Sequence, residues 1–364
     1  MCVNAHAPVA AQILKSIFVS GFRNLEVQEI EFSPRLNFLL GANGQGKTNL
    51  LEAIFFLSLL RPLRSASSSE VISWGKDQAL VRGNLFRDGL DTTIEIRLEG
   101  KKKRVLLDNK VRSAFEVAGL VQAVIFSPDD LDLIKGPPEV RRRFLDRAAF
   151  ARERTHLQNL LFFKQALRMR NRLLQQGESA QLDAFGHQLA HYGALVSAAR
   201  EKIAAELNEE VLRKSSGDIG LRFQQGWPKT KDDARADLFQ ALRDSLENDR
   251  LSGHTRYGPQ RDRLEIFFRT RPAASFASQG QKRACSIKIM LALVELLKRS
   301  KNPPLLLLDD ISSELDRSSR MDILDRVLAA GGQVFITATE FTESAMLGPE
   351  CYVFDVTAGR LVRR

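Results

Sequence analysis

The sequence predicts an α/β fold, with a mixed sheet, flanking helices and an inserted, mostly helical lobe. Three observations lead to this prediction. Short apolar runs typical of strands recur in the first and last thirds of the chain. The middle third holds two long helical patterns, 139–175 and 182–214, which a short turn joins. The 364 residues are enough for one large domain and a second lobe.

The most specific motif is a glycine-rich segment at 41–48. It matches G-x-x-x-x-G-K-[ST] and consists of Gly41, Ala42, Asn43, Gly44, Gln45, Gly46, Lys47 and Thr48. An apolar run at 35–40 precedes it and a helix-compatible segment at 49–60 follows, which is the strand–loop–helix context of a P-loop. Backbone N–H groups of such a loop surround phosphate oxygens. Lys47 would then contact the β- and γ-phosphates of ATP, and Thr48 would bind Mg²⁺.

Two carboxylates follow the apolar run 305–308, as expected for the acidic partner of a P-loop. We predict that Asp309 holds Mg²⁺ together with Thr48, and that Asp310 orients or polarises the attacking water. Lys47 and Asp310 are therefore the predicted catalytic residues. A second anion-binding helix start is predicted at 278–283, where Ser278, Gly280 and Gln281 open a helix that runs to about 298.

The order of P-loop, Ser-x-Gly-Gln helix, Asp-Asp strand and the Ser-x-Leu-Asp segment 313–316 resembles the head of ATP-binding-cassette (ABC) ATPases. This resemblance implies a head-to-tail dimer, in which Ser278 and Gly280 of one subunit face the γ-phosphate held by Lys47 of the other. Members of this class usually carry His after the strand at 333–337, where Thr337 and Thr339 stand. No residue is securely placed as their glutamine loop, although Gln122 is close to the right strand. Both departures indicate weak hydrolysis.

The predicted domains follow from these motifs. Residues 1–135 form the N-terminal part of the ATPase head, with the P-loop and antiparallel strands. Residues 136–255 form the inserted helical lobe. Residues 256–364 form the C-terminal part of the head, with the Ser-x-Gly-Gln turn 278–281 (the signature segment), the Asp-Asp strand and the Ser-x-Leu-Asp segment. The two histidines at 187 and 191 lack a third ligand and are interpreted as helix-surface residues.

A net charge of +10 favours a polyanionic partner such as nucleic acid, although a generally basic surface is an equally open alternative. Arg23, on a loop near the nucleotide strand, is a candidate contact to phosphate or adenine, with a solvated turn residue as the alternative. The candidate DNA contacts are the run 101–104 and the lobe residues Arg168, Arg170 and Arg172. For the run Arg141–Arg143, the alternative to DNA contact is that these arginines pair with carboxylates at a lobe junction.

The sequence also predicts a compartment. We expect no membrane association, because no apolar run approaches the ~18 residues of a membrane span. The first twelve residues do not fit the pattern of a secretion signal, and the three cysteines show no metal-ligand spacing. We therefore expect a cytoplasmic protein with reduced thiols.

Four further stretches resemble the RecF family. They are Gly21–Asn24, the segment from Pro128–Asp129 to Leu133–Gly136, Arg141–Asp146 and Gly258–Asp262. Pro137 and Gln260 depart from the family's usual residues. The signature glycine at 280 follows the first P-loop glycine at 41 by 239 residues, a spacing longer than that of a transporter ATPase.

The resemblance to the RecF family implies an ATP-dependent homodimer and a weak ATPase. It also implies binding to double-stranded DNA and single-strand/double-strand junctions, and work with RecR and RecO to load RecA at gapped DNA. Two alternatives remain open at this point. One is a DNA-end-processing or nuclease-associated ABC-type ATPase, and the other is a transporter or translation-factor cassette.

Overall fold

The computed structural model describes residues 12–63, 68–127, 133–177, 181–215, 217–230, 233–299, 303–310, 317–329, 332–339 and 350–364. The chain forms two compact units, of which the first is Met1–Asp129 with Leu297–Arg364 and the second is Asp130–Leu296. The helix that begins at the signature segment belongs almost entirely to the second unit. The domain boundaries predicted from the sequence place this helix in the C-terminal part of the head. Among the described helices, none has both the length and the apolar character needed to cross a membrane.

The strands are as follows: β1 Gln12–Ser20, β2 Gln28–Glu31, β3 Leu36–Leu40, β4 Gln78–Arg87, β5 Leu90–Glu99, β6 Lys102–Leu107, β7 Lys110–Arg112, β8 Ala123–Phe126, β9 Ile219–Gln224, β10 Arg263–Phe268, β11 Arg271–Pro272, β12 Leu305–Leu308, β13 Val334–Ala338, β14 Cys351–Thr357 and β15 Arg360–Arg363. The α-helices are as follows: α1 Lys47–Leu59, α2 Ala114–Val117, α3 Pro138–Arg152, α4 Thr155–Gln176, α5 Leu182–Ser215, α6 Ala234–Asp244, α7 Leu246–Ser252, α8 Ala273–Phe276, α9 Gln279–Lys298 and α10 Arg317–Leu328. Short 3-10 turns lie at Ser68–Val71 and Pro259–Arg261.

The first unit contains an antiparallel sheet with the strand order β2-β1-β4-β5-β6-β7. Along β4, every second residue from Ala79 to Leu85 is buried, so one face of the sheet packs on the core. Helix α1 packs on this sheet and on the parallel sheet of the same unit. A Cβ at Gly83 would lie 2.5 Å from Leu57 Cδ1 of α1, so glycine permits the close approach.

The parallel sheet has the order β15-β14-β3-β13-β12-β8, in which β15 alone is antiparallel to its neighbour. All residues of β3, β8, β12 and β13 are buried, as expected for a parallel sheet covered on both faces. Gln333, just before β13, ties this sheet to the other one. Its side-chain amide donates to Leu14 O at 2.9 Å and its oxygen accepts from Leu14 N at 2.8 Å.

The second unit consists of helices α3 to α9 and a three-stranded antiparallel sheet, β11-β10-β9. Helices α4 and α5 pack against each other across a short connection, as predicted for the helical lobe. Their shared core includes Phe163, Leu189 and Trp227. The segment 139–175, predicted as helical, consists of two helices, α3 and α4, because the chain leaves the helical conformation at Glu153, whose backbone is extended. Helices α6 and α7 follow each other directly and meet at Ser245.

Candidate nucleotide-binding site

The carboxyl ends of three neighbouring parallel strands form the candidate site. Strand β3 leads into the P-loop, β12 leads into Asp309, and β13 contains Thr337 near its end. Because β13 lies between β3 and β12 and all three run in parallel, their carboxyl ends meet at one edge of the sheet. The sheet order thus brings together residues that are almost 300 positions apart in the chain.

The P-loop depends on glycine at its first and last positions. A Cβ at Gly41 would lie 2.3 Å from the carbonyl oxygen of Val356 on β14, so no other residue fits there without a shift. Gly46, with φ 112°, is the N-cap of α1 and adopts a left-handed conformation. Helix α1 starts at Lys47, so its N-terminal N–H groups and its dipole lie at the loop, as phosphate binding requires.

The Lys47 ammonium is held by its own loop. It donates to the carbonyl oxygens of Gly41 and Ala42, the latter at 3.0 Å, and the residue is only 6% exposed. Burial lowers the pKa of Lys47, against the opposing effect of the carboxylates of Asp310 and Asp309. A positive charge in this position is stabilised by an incoming polyphosphate, because the anion replaces the hydration that the ammonium has lost.

Asp309 is fixed by two hydroxyl groups. Thr48 Oγ1 donates to Asp309 Oδ1 at 2.7 Å, and Thr337 Oγ1 donates to the same oxygen at 3.1 Å. The pairing of Thr48 with Asp309 is the arrangement predicted from the sequence, and both groups are hard oxygen donors of the kind that Mg²⁺ prefers. Asp309 and Thr337 are 2% and 0% exposed, so these two side chains are shielded from bulk water.

Asp310 follows in a left-handed backbone conformation, with φ 43°. Such a conformation costs about 1–2 kcal/mol for a residue with a Cβ, so neighbouring contacts must maintain it. The backbone N–H of Asp310 donates to Thr337 Oγ1 at 2.8 Å, which supplies one such contact. Thr337 therefore positions both carboxylates, through Oδ1 of Asp309 and the N–H of Asp310.

Arg23 is paired inside its own unit. Its guanidinium donates to Glu52 of α1 at 2.9 and 3.1 Å and to the carbonyl oxygen of Glu70 at 2.9 Å. Glu52 is 1% exposed, so this ion pair anchors the Gly21–Asn24 loop to the P-loop helix. A contact between Arg23 and a nucleotide remains a prediction.

Sequence reasoning missed the contacts that hold the tip of the P-loop. Asn24 donates to the carbonyl oxygen of Gly44 at 3.2 Å and accepts from Asn49 at 2.7 Å. On the other side, Gln45 accepts hydrogen bonds from the N–H groups of Ala358 and Gly359, at 2.6 and 2.8 Å. The 358–359 turn joins β14 to β15. The alternation of apolar and polar residues at 351–357 was the sequence signal available for a strand before this turn.

Comparison with known proteins identifies the family. A family model described as the RecF/RecN/SMC N terminal domain matches residues 13–348. The chain is 33% identical over 362 residues to the DNA replication and repair protein RecF of Geotalea uraniireducens (strain Rf4), covering 96% of this chain and 99% of that protein. It is 38% identical over 362 residues to the protein of the same name from Anaeromyxobacter sp. (strain Fw109-5), covering 95% and 98%. The chain belongs to the RecF family.

Solved structures confirm the predicted fold class. The structure of the recombination mediator protein RecF-ATP in the RecFOR pathway matches with a TM-score of 0.86 and 30% identity, covering 99% of this chain and 100% of that one. The SmcHead bound to the C-winged helix domain of ScpA matches with a TM-score of 0.54 at 16% identity, covering 97% of each chain, and shares the fold alone. The fold is that of an ABC-type ATPase head with an insertion.

The signature segment of this RecF-family chain is exposed. Ser278 and Gln281 form a reciprocal cap, in which Ser278 N donates to Gln281 Oε1 at 2.8 Å and Gln281 N donates to Ser278 Oγ at 3.3 Å. A Cβ built on Gly280 would meet no described atom within 4 Å. Among the described residues, the space next to Gly280 is therefore open. The Ser-x-Leu-Asp segment 313–316 lies outside the described residues, as do 128–132 of the RecF-family stretches.

Gln122 is at the wrong end of the sheet for a glutamine-loop residue. It precedes β8, which is parallel to β12, so it lies at the amino edge and the nucleotide residues lie at the carboxyl edge. Its carbonyl oxygen accepts from Leu305 N at 2.8 Å, at the start of β12. Gln122 therefore lies away from the residues predicted to bind nucleotide, in keeping with the absence of a glutamine-loop assignment from the sequence.

One candidate DNA contact is wrong, and a second is engaged inside the protein. Arg170 is 2% exposed and donates to Asp249 at 2.8 Å and to Thr255 at 2.8 Å inside the second unit, so it cannot reach a phosphate from this position. Lys103 is half buried and donates to the carbonyl oxygen of Leu60, which caps the C-terminus of α1, at 2.9 Å. Its contact with DNA stays a prediction.

The alternative role of the Arg141–Arg143 run is closer to what the structure shows. Arg141 donates to the carbonyl oxygen of Gly136 at 2.9 Å, and Arg142 donates to the carbonyl oxygen of Asp262 at 3.2 Å. These arginines bind backbone oxygens of the second unit and stabilise the segment before α3 and the turn before β10. Only Arg143 of the three is exposed.

Proposed function

We propose that this chain is an ATP-dependent DNA-binding protein of recombinational DNA repair and replication restart, with slow ATP hydrolysis. ATP closes two subunits head to tail into a homodimer, and the dimer binds double-stranded DNA and single-strand/double-strand junctions. The protein acts in the cytoplasm with RecR and RecO, to help load RecA at gapped DNA. The names of the relatives, as DNA replication and repair proteins and as RecF-ATP in the RecFOR pathway, support this proposal.

The observation that carries the proposal is the edge formed by Lys47, Thr48 and Asp309. The carbonyl oxygens of Gly41 and Ala42 accept hydrogen bonds from the Lys47 ammonium. With ATP bound, the ammonium would donate to the β- and γ-phosphates instead. The first turn of α1 supplies N–H groups for the same phosphates. A buried cation with a lowered pKa, at a helix N-terminus and beside two carboxylates, fits a triphosphate carrying a divalent cation better than a lone anion.

The residues present also fit Mg²⁺. The Thr48 hydroxyl and the Asp309 carboxylate lie 2.7 Å apart and would hold the ion, which neutralises charge on the β- and γ-phosphate oxygens. Asp310 would accept a hydrogen bond from the attacking water and orient it. Thr337, at the place where ABC ATPases usually carry His, cannot act as an acid or base at neutral pH, which supports slow hydrolysis.

The exposed signature turn supports the dimer. Ser278 and Gly280 lie at the start of the 20-residue helix α9, whose N-terminal N–H groups suit an anion. Because no described residue packs on Gly280, the turn is available to the γ-phosphate held by Lys47 of a second copy. Each nucleotide would then be bound by one subunit and closed by the other.

Substitution of Lys47 tests nucleotide binding. In Lys47→Ala we expect ATP binding to be lost, because the loop loses the cation that contacts the phosphates. ATP-dependent DNA binding should be lost with it. Binding of a fluorescent ATP analogue and anisotropy of labelled DNA measure the two effects. Lys110→Ala, at an exposed lysine of β7, is the matched control and should behave like the parent protein. An unchanged ATP affinity in Lys47→Ala would refute the P-loop assignment.

Substitution of Ser278 tests the dimer. Ser278→Arg should keep ATP binding by the monomer, yet block ATP-induced dimerisation in light scattering, because the side chain fills the space of the phosphate. Ser113→Arg is the matched control, since Ser113 is also an exposed N-cap with a reciprocal capping contact. A mixture of Ser278→Arg with Lys47→Ala should recover part of the ATPase activity, because one site of the mixed dimer has both halves intact. Dimerisation of Ser278→Arg at the parent concentration would contradict the head-to-tail arrangement.

A further inference from the structure

Trp74 is the most exposed large hydrophobic side chain of the described residues. It lies between the 3-10 turn Ser68–Val71 and β4, and its relative exposure is 102%. Trp227, the other of the two tryptophans, is 4% exposed in the core of the second unit. A tryptophan that buries none of its ring leaves a large apolar area in water, so its surroundings indicate what kind of partner could cover it.

Trp74 lines one of two grooves at the end of the antiparallel sheet. The larger groove, of about 500 Å³, is formed by the 69–77 segment together with Glu99, Gly100 and Lys102. The smaller, of about 360 Å³, lies on the outer face of β4, β5 and β6. Both grooves include Glu99 and Lys102, so they adjoin each other. We call the two grooves together the Trp74 groove.

The Trp74 groove is basic. Four cations and two carboxylates line it, namely Lys76, Arg97, Lys102 and Arg104 with Asp77 and Glu99. Strand register sets Arg97 beside Arg104 across β5 and β6, and Glu95 holds Arg97 by an ion pair of 2.5 Å. Lys76, Lys102 and Arg104 form no ion pair with any described residue. These three cations are therefore available to an anionic ligand.

We propose that the Trp74 groove binds an unpaired strand of nucleic acid, with a base stacked on Trp74 and phosphates on Lys102 and Arg104. The proposal rests on the proposed DNA-binding function. It adds the form of DNA that is bound, an unpaired strand, and the residues that contact it. Stacking on an aromatic ring requires a base whose face is exposed, which a single strand offers and the interior of a duplex does not. Cations along the groove supply the phosphate contacts that such sites combine with stacking.

A protein partner fits this surface less well. The core of a protein interface is apolar and depleted of charge, whereas the apolar neighbours of Trp74 in the groove are few, with Ile72 and Leu80 both half buried. A lone indole ring among lysines and arginines is instead the combination found on single-strand binding surfaces. Gly75 follows Trp74 with φ 76°, and a Cβ there would meet no described atom within 4 Å, so the ring can be approached from the solvent.

Tryptophan fluorescence tests the stacking directly. Oligothymidine is titrated into the ATP-bound protein while anisotropy of a labelled oligonucleotide follows binding. We expect binding to quench the emission of the parent protein, because a stacked base contacts the indole ring of Trp74. In Trp74→Phe, where Trp227 is the remaining tryptophan, emission should be unchanged at the same occupancy. If the parent emission does not change while anisotropy reaches saturation, the proposal is overturned. An emission change that follows protein concentration and not oligonucleotide would also overturn it, in favour of a protein-docking surface.

Affinities separate this proposal from the proposed function. The parent should bind a duplex with an unpaired tail more tightly than the blunt duplex. Trp74→Ala should lose at least about fivefold in affinity for the tailed DNA and little for the blunt DNA, since base stacking is worth that much or more. If Trp74→Ala binds both DNAs like the parent, the groove assignment fails and the DNA-binding function stands. If the parent binds neither DNA with ATP, the proposed function fails, and the groove assignment fails with it.

The cations have their own test. The double variant Lys102→Glu with Arg104→Glu should weaken binding of the tailed DNA. It should also lower the slope of log affinity against log salt concentration by about one unit for each cation lost. Lys110→Glu with Arg112→Glu is the matched control, because both residues are exposed on the neighbouring strand β7 and line neither groove. Equal loss in the two double variants would mean a diffuse charge effect and would overturn the assignment of phosphate contacts to this groove.

Discussion

The two compact units each contain a buried ionic cluster, and the two clusters differ in how their charges are satisfied. In the first unit, Lys47 donates to backbone carbonyl oxygens, and Asp309 accepts from the hydroxyls of Thr48 and Thr337. In the second unit, Arg200 forms ion pairs with Asp146, at 2.8 Å, and with Asp262, at 2.9 Å. Opposite charges thus contact each other directly in the lobe, whereas the hydrogen bonds just named join Lys47 and Asp309 to neutral groups.

This difference distinguishes a binding site from a structural cluster. Burial alone would raise the pKa of Asp146, but Arg200 and His156 outweigh it and hold that pKa well below its usual range. At Lys47 burial dominates, and the pKa is lowered. A charge held by neutral groups keeps its capacity to bind an opposite charge from a ligand, whereas a charge in a saturated ion pair does not. Substitutions at the first cluster should therefore change chemistry, and those at the second should change stability.

The largest expected effect is on hydrolysis. Asp310→Asn should lower the ATPase rate about 10²–10⁴-fold, because the amide cannot accept a proton from water. ATP binding and thermal stability should stay near the parent values, since Asn preserves the backbone contact to Thr337. Steady-state phosphate release and the thermal midpoint measure the two. Glu350→Gln, at an exposed carboxylate of the same unit, controls for loss of charge. A parent-like rate in Asp310→Asn would assign the water to another residue.

The next effect is on stability alone. Asp146→Asn should lower the free energy of unfolding of the second unit by about 3–5 kcal/mol, because it leaves the buried Arg200 with an incomplete partner. ATP binding should persist at temperatures where the protein stays folded. Asp183→Asn, at the exposed start of α5, is a control with little expected effect. A variant that loses ATP affinity with an unchanged thermal midpoint would reverse the roles of the two clusters.

A smaller effect is expected at Thr337. Thr337→Val keeps the side-chain shape but removes the donor to Asp309 and the acceptor for Asp310 N–H. Leaving such groups without a partner costs about 1–3 kcal/mol, so we expect roughly tenfold slower hydrolysis and a lower thermal midpoint. Thr339→Val, at the exposed position two residues later, is the matched control. If both variants hydrolyse ATP at the same rate, Thr337 does not position the carboxylates.

Much of the first cluster could be predicted from the sequence, because its residues occur in fixed spacings that local chemistry requires. The P-loop, its helix and the strand before Asp309 are such segments, and the structure brings Thr48 and Asp309 into hydrogen-bond contact, while their joint binding of Mg²⁺ stays a prediction. The 358–359 turn could not be placed, because its contact with Gln45 depends on β14 pairing with β3 across more than 300 residues. Strand order in a parallel sheet is a tertiary property, and no local pattern encodes it.

Local sequence patterns could have indicated that two of the candidate DNA-contacting cations point inward. Arg170 lies on the same helix face as the buried residues Ala166, Leu173 and Leu174, so helical periodicity places it inside. Lys103 is two residues from the buried Val105, so strand alternation places it on the inner face of β6. Their partners, Asp249 and the Leu60 carbonyl, are 79 and 43 residues away and have no local signal. Charge count alone made both residues DNA candidates, and burial decides against Arg170.

The smallest expected effect separates the two carboxylates that share Arg200. Burial raises the pKa of Asp262 to about 6, and the opposing effects of Arg200 and the Gly226 N–H do not outweigh it. A folded-state pKa above the unfolded value means that the folded protein binds the proton more tightly. Parent stability should therefore rise relative to Asp262→Asn as the pH falls from about 7 to about 5, by about 1 kcal/mol. Asp146 contributes in the opposite direction, but only at lower pH, since its folded pKa is the lowered one.

Thermal midpoints of parent and Asp262→Asn test this prediction. Between pH of about 7 and about 5, the midpoint of the parent relative to the variant should rise by about 2–4 °C. Asp244→Asn, at an exposed carboxylate of α6, should show no such trend. A constant difference between parent and Asp262→Asn would mean that Arg200 compensates both carboxylates equally, and the lobe cluster would then be fully saturated.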